Sequence, residues 1–245
     1  MTIAQSVQRT IAALPAGQVF GYEALPSYSS APAAVTKAVS RLIQDKKLKR
    51  FAKGKFYVPE QGLLGERKLS DSEVLRSVLF KNGRLRGYIT GYALYNRLGL
   101  TTQMPGTITV AVNGGRQEKD FGNLKVQVTV ARAPVNAENV KLLGYLDVLK
   151  DIKSIPDANV NTSLARMRGL LGELNQADKR SVVSLALTHY TPQTRALLGL
   201  LMELLPEKTG SVSVEKLRQS LNPTTTYKLG LDESRWTAAR SWNIR

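Results

Sequence analysis

The sequence has no cysteine and a single histidine in 245 residues. The first absence excludes a disulfide framework, a thiol nucleophile and any zinc site built on thiolates. The second leaves His189, in the tetrapeptide HYTP, with no partner for a metal or a catalytic triad. A surface or packing role suits it better. No apolar run approaches the roughly 20 residues that cross a bilayer. The first residues lack a basic segment followed by an apolar one, so a secretory leader is not expected and a cytoplasmic location is. Glycines at 83, 87 and 91 lack the Gly-Lys-Ser/Thr ending that cradles phosphates. Gly210-Ser211 has no Asp-x-Asp after it, so no nucleotidyltransferase centre is read there. Asp147 and Asp151, beside Lys150 and Lys153, read as solvated charges. Neither catalysis, nor a metal, nor a cofactor is expected.

Acidic residues are scarce beside basic ones. Thirty-five Lys and Arg face nineteen Asp and Glu, a formal charge of +16. Such an excess suits a polyanion, with nucleic acid ahead of a membrane surface. The hydrophobic fraction of 42% is that of a folded chain, and the length allows one or two domains. The charge is uneven. Residues 1–60 hold nine cations against Glu23, Asp45 and Glu60, whereas residues 111–160 hold seven cations against six anions.

The N-terminal excess centres on SSAPAAVTKAVSRLIQDKKLKRFAKGKFYV, residues 29–58. Val35, Val39, Leu42 and Ile43 fall at helical spacing, Pro32 suits the first turn, and Ser29 or Ser30 is the expected cap. The other face carries Ala33, Thr36, Lys37, Ser40, Arg41 and Gln44. Two short strand-like runs follow, Leu48–Phe51 and Lys55–Val58, joined at Ala52-Lys53-Gly54. Lys49, Arg50, Lys53 and Lys55 make this hairpin basic. A capped amphipathic helix followed by a basic hairpin has the form of a recognition helix and wing. With a first helix over Ile3–Leu14, a short strand at Val19-Phe20 and a brief helix at Tyr22–Leu25, it predicts a winged helix-turn-helix over residues 1–60. The expected DNA contacts are Ser30, Ala33, Thr36, Lys37, Ser40, Arg41, Lys49, Arg50, Lys53 and Lys55.

Residues 61–69 read as a linker. A capped helix then opens at Ser70, with Glu73 completing a capping box and Asn82-Gly83 ending it. In GYITGYALYNRLGLTTQMP, a helix is expected over Tyr92–Leu98, with Gly99 as its stop. Ile108, Val110 and Val112, then Leu124, Val126, Val128 and Val130, alternate with polar or small residues. They predict two half-buried strands separated by the turn-rich residues 113–123. Four helices are expected after them, over Asn139–Ile152, Asn161–Asn175, Lys179–Tyr190 and Thr194–Leu205. The fold class is therefore α+β: a winged helix-turn-helix, then a mixed domain over 70–206 with a small antiparallel sheet and a helical half. Residues 207–245 lack a sustained period and read as an extension packing on the body through Trp236 and Trp242. Arg84, Arg86 and Arg97, with Tyr88, Tyr92 and Tyr95, make a possible second nucleic-acid surface. Core packing of the tyrosines is the favoured alternative.

The winged-helix pattern, with GYITGYALYNRLGLTTQMP leading into TITVAV, resembles the AbiEi family of antitoxins from bacterial type IV toxin–antitoxin systems. The resemblance covers roughly residues 1–205. It implies an N-terminal domain that binds operator DNA and represses its own operon. It also implies a second domain that neutralises a toxin with a nucleotidyltransferase-like fold. In the matching positions Thr36, Lys37, Ser40 and Arg41 would face bases, and Lys49, Arg50, Lys53 and Lys55 would hold the backbone. The expected partners are double-stranded operator DNA in inverted-repeat form, bound by a homodimer, and the cognate toxin; no membrane is expected. Two other classes remain: a winged-helix regulator whose second domain dimerises or senses a ligand, and a nucleic-acid-processing enzyme. The lack of clustered metal ligands speaks against the enzyme.

Overall fold

The computed structural model of the chain describes residues 2–63, 65–115, 117–121, 124–206 and 211–245. Residues 116, 122 and 123 of the expected turn over 113–123, and the first four residues of the extension, Gly210 among them, lie outside the described residues. The chain is mixed α+β and divides after Arg84 into two compact units.

In the first unit, helix α1 spans Ile3–Ala12 and opens with a reciprocal box between Thr2 and Gln5. Strand β1 (Val19–Gly21) follows, then a 3-10 turn over Tyr22–Ala24. Helix α2 spans Pro32–Gln44, and strands β2 (Lys49–Ala52) and β3 (Lys55–Tyr57) form a hairpin. The three strands make an antiparallel sheet in the order β1-β3-β2. Gly54 takes φ +69° in the hairpin turn, a conformation that favours glycine. Val7 and Ile11 of α1 and Val35, Val39 and Leu42 of α2 bury the apolar stripes read from their spacing. They pack with Phe20, Leu25, Leu48 and Phe56 as one core. Phe56 is fully buried, which contributes about 2–3 kcal/mol.

The expected serine cap of α2 is not made. The N-cap is Ala31, with no side-chain hydrogen bond, and the Ser30 hydroxyl donates to the Ser27 carbonyl at 3.3 Å. Pro32 holds the first helical position and directs the preceding residue away from helical backbone, which leaves Ser30 one residue too early to cap.

Residues expected as a linker form a hairpin of strands β4 (Glu60–Gly62) and β5 (Gly65–Arg67). Glu60 and Arg67 sit opposite each other and form an ion pair at 2.8 Å. Helix α3 (Asp71–Leu79) belongs to this first unit, so the division falls after Arg84 rather than before Ser70. Ser70 caps it, accepting from the Glu73 N–H at 3.2 Å, but Glu73 does not return the bond. Its carboxylate accepts instead from Val19 N–H at 2.7 Å. Asn82 and Gly83, at φ 52° and 72°, do not stop a helix. They form the turn between the two-residue strands β6 (Phe80–Lys81) and β7 (Arg84–Leu85).

In the second unit, β8 (Gly87–Thr90) leads into helix α4 (Tyr92–Arg97), which closes at Gly99, φ +71°. Strands β9 (Thr107–Val112), β10 (Gln117–Asp120) and β11 (Lys125–Val130) complete a sheet in the order β10-β11-β9-β8. The sheet is antiparallel at β8–β9 and β10–β11, but the two strands read from the alternation depart from the expected antiparallel arrangement. β9 and β11 run parallel, with Ile108 opposite Val126 and Val110 opposite Val128. The cause is β10, which runs back along the outer edge and pairs antiparallel with β11, turning β11 into the direction of β9. An apolar alternation of period two is the same for either pairing.

Helices α5 (Val140–Lys150), α6 (Val160–Gly172), α7 (Gln176–His189) and α8 (Pro192–Glu203) stand where the periodicity places them. Every residue of α5 from Leu142 to Leu149 is buried. Helix α9 (Ser211–Gln219) and the segment after it pack onto this core, burying Tyr227, Leu229, Leu231, Trp236 and Trp242. Trp242 lies over Gly199 of α8, where an added Cβ would come within 2.1 Å of the indole. The indole N–H groups of Trp236 and Trp242 donate to Asn161 and Glu203. Among the described residues no helix is long and apolar enough to cross a membrane.

Candidate nucleic-acid interface

The solvent face of α2 is a stripe of Ala33, Thr36, Lys37, Ser40, Arg41 and Gln44, all exposed. The helix contains no acidic residue, and its first turn, Pro32-Ala33-Ala34, is small. With no side chain capping it, the first turn leaves its outward N–H groups to solvent, at the positive end of the helix dipole. Lys46 and Lys47 extend the charge beyond the helix end, and Arg50 and Lys53 carry it along β2 and into the hairpin turn; all four are exposed. Among the described residues none of Lys37, Arg41, Lys46, Lys47, Arg50 and Lys53 has an ion-pair partner.

Below this surface the hairpin is held by aromatic packing. Tyr22 stacks on Tyr28 with centroids 4.8 Å apart and meets Phe56 edge-on at 5.0 Å. The Tyr22 ring also lies within 3.9 Å of a Cβ built on Gly54. Turn, β3 and the approach to α2 are therefore one packed body.

The ten expected DNA contacts divide. Ser30, Ala33, Thr36, Lys37, Ser40, Arg41, Arg50 and Lys53 lie exposed. Two lysines are engaged elsewhere. The Lys55 ammonium donates to the Ser77 carbonyl on α3. Lys49 pairs with Glu66 of β5 at 2.7 Å, and that hydrogen bond holds the Lys49 ammonium above its ordinary pKa.

Lys55 is part of a brace that sequence reasoning missed. β1 is an edge strand, and the outward N–H and C=O of Val19 are met by Glu73 at 2.7 Å and Arg76 at 3.1 Å. Arg76 also grips the Glu73 carboxylate through bonds of 2.8 and 2.7 Å. Two side chains of α3 thus do what a further strand would do for the sheet edge. Burial pushes the Glu73 carboxyl upward, but Arg76 and the Val19 N–H outweigh it and hold the group below its ordinary value. A carboxylate with a lowered folded pKa stabilises the fold above its unfolded pKa, and the contribution is lost as pH falls through the folded pKa. Wild type and Glu73→Gln are therefore expected to differ in melting temperature at neutral pH and to converge as pH falls below the ordinary carboxylate range. Thermal melts from pH 3 to 7 measure this, and a constant difference over that range would contradict the brace.

The residues of the second candidate surface fall in both units. Arg84 ends the first unit, while Arg86 and Arg97 belong to the second. Arg84 and Arg97 are exposed and Arg86 is half-buried. Tyr88 and Tyr95 are buried, as the core alternative has it, and Tyr92 is 49% exposed. Their hydroxyls are spent on carboxylates: Tyr88, Thr90 and Tyr190 all donate to Asp147, at 2.8–3.0 Å, and Tyr95 donates to Asp151 at 2.9 Å. Asp147 is 4% exposed, so its reading as a solvated charge is corrected. Three hydroxyl donors replace the water it has lost. Burial, followed by the neighbouring carboxylates, pushes the Tyr88, Tyr95 and Tyr190 phenols far up. They are donors at any physiological pH. Among the described residues no three His, Asp or Glu side chains converge to hold a metal ion.

These two units, the first carrying an exposed basic helix and hairpin, define the class of protein. Residues 6–179 match the family described as a family of unknown function (DUF6088), and the chain belongs to that family. No curated protein matches the chain. A crystal structure of the RV2827C protein from Mycobacterium tuberculosis is similar over 100% of this chain and 91% of that one, with a TM-score of 0.50 and 16% identity. That likeness is one of fold alone.

Proposed function

We propose that the chain is the antitoxin of a type IV toxin–antitoxin system. In this reading the first unit is a winged helix-turn-helix that binds operator DNA and represses its own operon. The second unit neutralises a nucleotidyltransferase-like toxin. The observation that carries the DNA half is the exposed, acid-free face of α2 continued by Arg50 and Lys53, with no internal anion paired to these cations. Helix α2 is the recognition helix and β2–β3 the wing. Thr36, Lys37, Ser40 and Arg41 reach base edges in the major groove, while Lys46, Lys47, Arg50 and Lys53 meet phosphates. The toxin half is supported by the resemblance of the GYITGYALYNRLGLTTQMP block to AbiEi antitoxins.

The reading separates two lysines of one hairpin. Lys53→Ala is expected to reduce the slope of log K against log salt by about 0.9, one phosphate contact, and to leave the melting temperature unchanged. Lys55→Ala is expected to leave the slope unchanged and lower the melting temperature, since its ammonium is held by Ser77. Fluorescence-anisotropy titrations with the upstream DNA, paired with thermal melts, make the comparison. Equal slope losses for both variants would contradict the assignment.

The toxin half is tested by co-expressing the full chain with the neighbouring gene under a heterologous promoter, so that lost repression cannot imitate lost neutralisation. Growth rescue that persists in a DNA-binding-deficient variant supports an antitoxin. A neighbouring gene that is harmless when expressed alone would reduce the reading to a DNA-binding regulator without a toxin.

A further inference from the structure

We propose that Glu66 is an internal competitor for the DNA backbone: it occupies Lys49 of the wing, and a duplex phosphate displaces it on binding. The inference rests on the DNA-binding reading above and adds a residue that sets the affinity of the surface. Four observations lead to it.

First, the Lys49 ammonium and the Glu66 carboxylate are 2.7 Å apart, the separation of a charge-assisted hydrogen bond. Second, the pair lies at the rim. Lys49 is 49% and Glu66 29% exposed, so a phosphate oxygen can reach the ammonium without unfolding anything. Third, β2 is an outer strand of the three-stranded sheet, and Lys49 stands one residue after the pair Lys46-Lys47 and directly before Arg50. Among the cations from Lys46 to Lys53, Lys49 alone is matched to a carboxylate among the described residues. Fourth, the anion comes from the separate hairpin β4–β5, whose other ion pair, Glu60–Arg67, closes within the hairpin.

An exposed ion pair is a weak structural tie, worth about 0–1 kcal/mol. A polyanion that presents a line of phosphates can therefore replace it. Exchange of carboxylate for phosphate returns Glu66 to water near the duplex, where its charge is repelled. Glu66 thereby sets the loss of an ion pair against the Lys49 contact and leaves a like charge beside the backbone. Both effects weaken binding to all sequences alike, since neither touches a base.

The test is a double-mutant cycle on duplex affinity and salt slope in the full chain, using a fluorescently labelled duplex from the upstream region and a scrambled duplex of equal length. Glu66→Gln is expected to tighten binding to both duplexes by roughly five- to tenfold at about 0.1 M salt and to leave the slope nearly unchanged, since Lys49 meets a phosphate in wild type as well. In a Lys49→Ala background the same substitution is expected to gain at most about twofold and to leave the slope unchanged. Thermal melts of each variant show whether the fold is intact. Wild-type binding that Glu66→Gln leaves unaltered, with an intact fold, would overturn the inference and leave the DNA reading standing. So would a full gain in the Lys49→Ala background. No binding by wild type to either duplex at low salt would instead remove the DNA reading itself.

Discussion

A variant carrying Lys37→Ala, Arg41→Ala, Arg50→Ala and Lys53→Ala is expected to lose about a thousandfold or more in affinity for duplex DNA near 0.1 M salt. Arg50 and Lys53 each take about 0.9 from the log–log salt slope, close to tenfold in affinity at that salt, and the lost base contacts of Lys37 and Arg41 cost about 1–3 kcal/mol each. The four side chains are exposed and have no ion-pair partner among the described residues. Their removal leaves the core of Val35, Val39, Leu42 and Phe56 untouched, so the melting temperature is expected to hold within a few degrees. A control, Arg166→Ala with Arg168→Ala and Arg180→Ala on α6 and α7, removes three exposed charges from the second unit and is expected to change affinity little. Anisotropy titrations of both variants decide the matter. Comparable losses in the two would mean that net charge, and not the face of α2 and the hairpin, drives binding.

The second large effect concerns where the first unit ends. A fragment of residues 1–84 is expected to unfold cooperatively, and a fragment of residues 1–60 is not. Truncation at 60 removes α3 and with it the Glu73 and Arg76 bonds to Val19 and the Lys55 bond to Ser77. It also cuts away β5 and therefore Glu66, the partner of Lys49. Three charge-assisted bonds, partly exposed, contribute about 3–5 kcal/mol together. A module of this size has about 5 kcal/mol of stability in total. The shorter fragment would thus sit near its midpoint at room temperature. Urea titration followed by tryptophan-independent far-ultraviolet circular dichroism suits the fragment, since both tryptophans lie beyond residue 84. Equal stability of the two fragments would show the brace to be dispensable.

What the sequence discloses and what it conceals follow from how each element is stabilised. Helix α2 was legible because Val35, Val39 and Leu42 recur at helical spacing and Pro32 marks the start; burial alone organises it. The Ser30 cap was over-read, because Pro32 and the serine compete for the geometry of one turn. The β4–β5 hairpin was hidden. Its strands, Glu60-Gln61-Gly62 and Gly65-Glu66-Arg67, bury no alternating apolar set and are held by backbone pairing and one ion pair. Asn82-Gly83 suits a helix stop and a two-residue hairpin turn equally, and only the φ values separate them.

Charge was legible in amount but not in allocation. The cations of residues 37–55 suit a polyanion partner, yet nothing in the sequence shows that Lys49 meets Glu66 and Lys55 meets Ser77. Such partners arrive through β4–β5 and α3, elements whose packing against the sheet is set by tertiary structure. Asp147 is legible from its neighbours: an aspartate inside the otherwise apolar run Leu142–Leu149 has to be buried, and a buried carboxylate needs donors. The nearby tyrosines, Tyr88 and Tyr190, supply them.

The central claim is that the face of α2 with the β2–β3 hairpin binds duplex DNA through its phosphates. The most direct measurement is the affinity of the full wild-type chain for a duplex from its own upstream region, followed from about 50 to 200 mM salt. With Lys46, Lys47, Arg50 and Lys53 on the backbone and Lys49 joining them as it leaves Glu66, the log–log slope is expected near −4 to −5. Affinity that stays flat across that range, or no binding at its lowest salt, would contradict the claim.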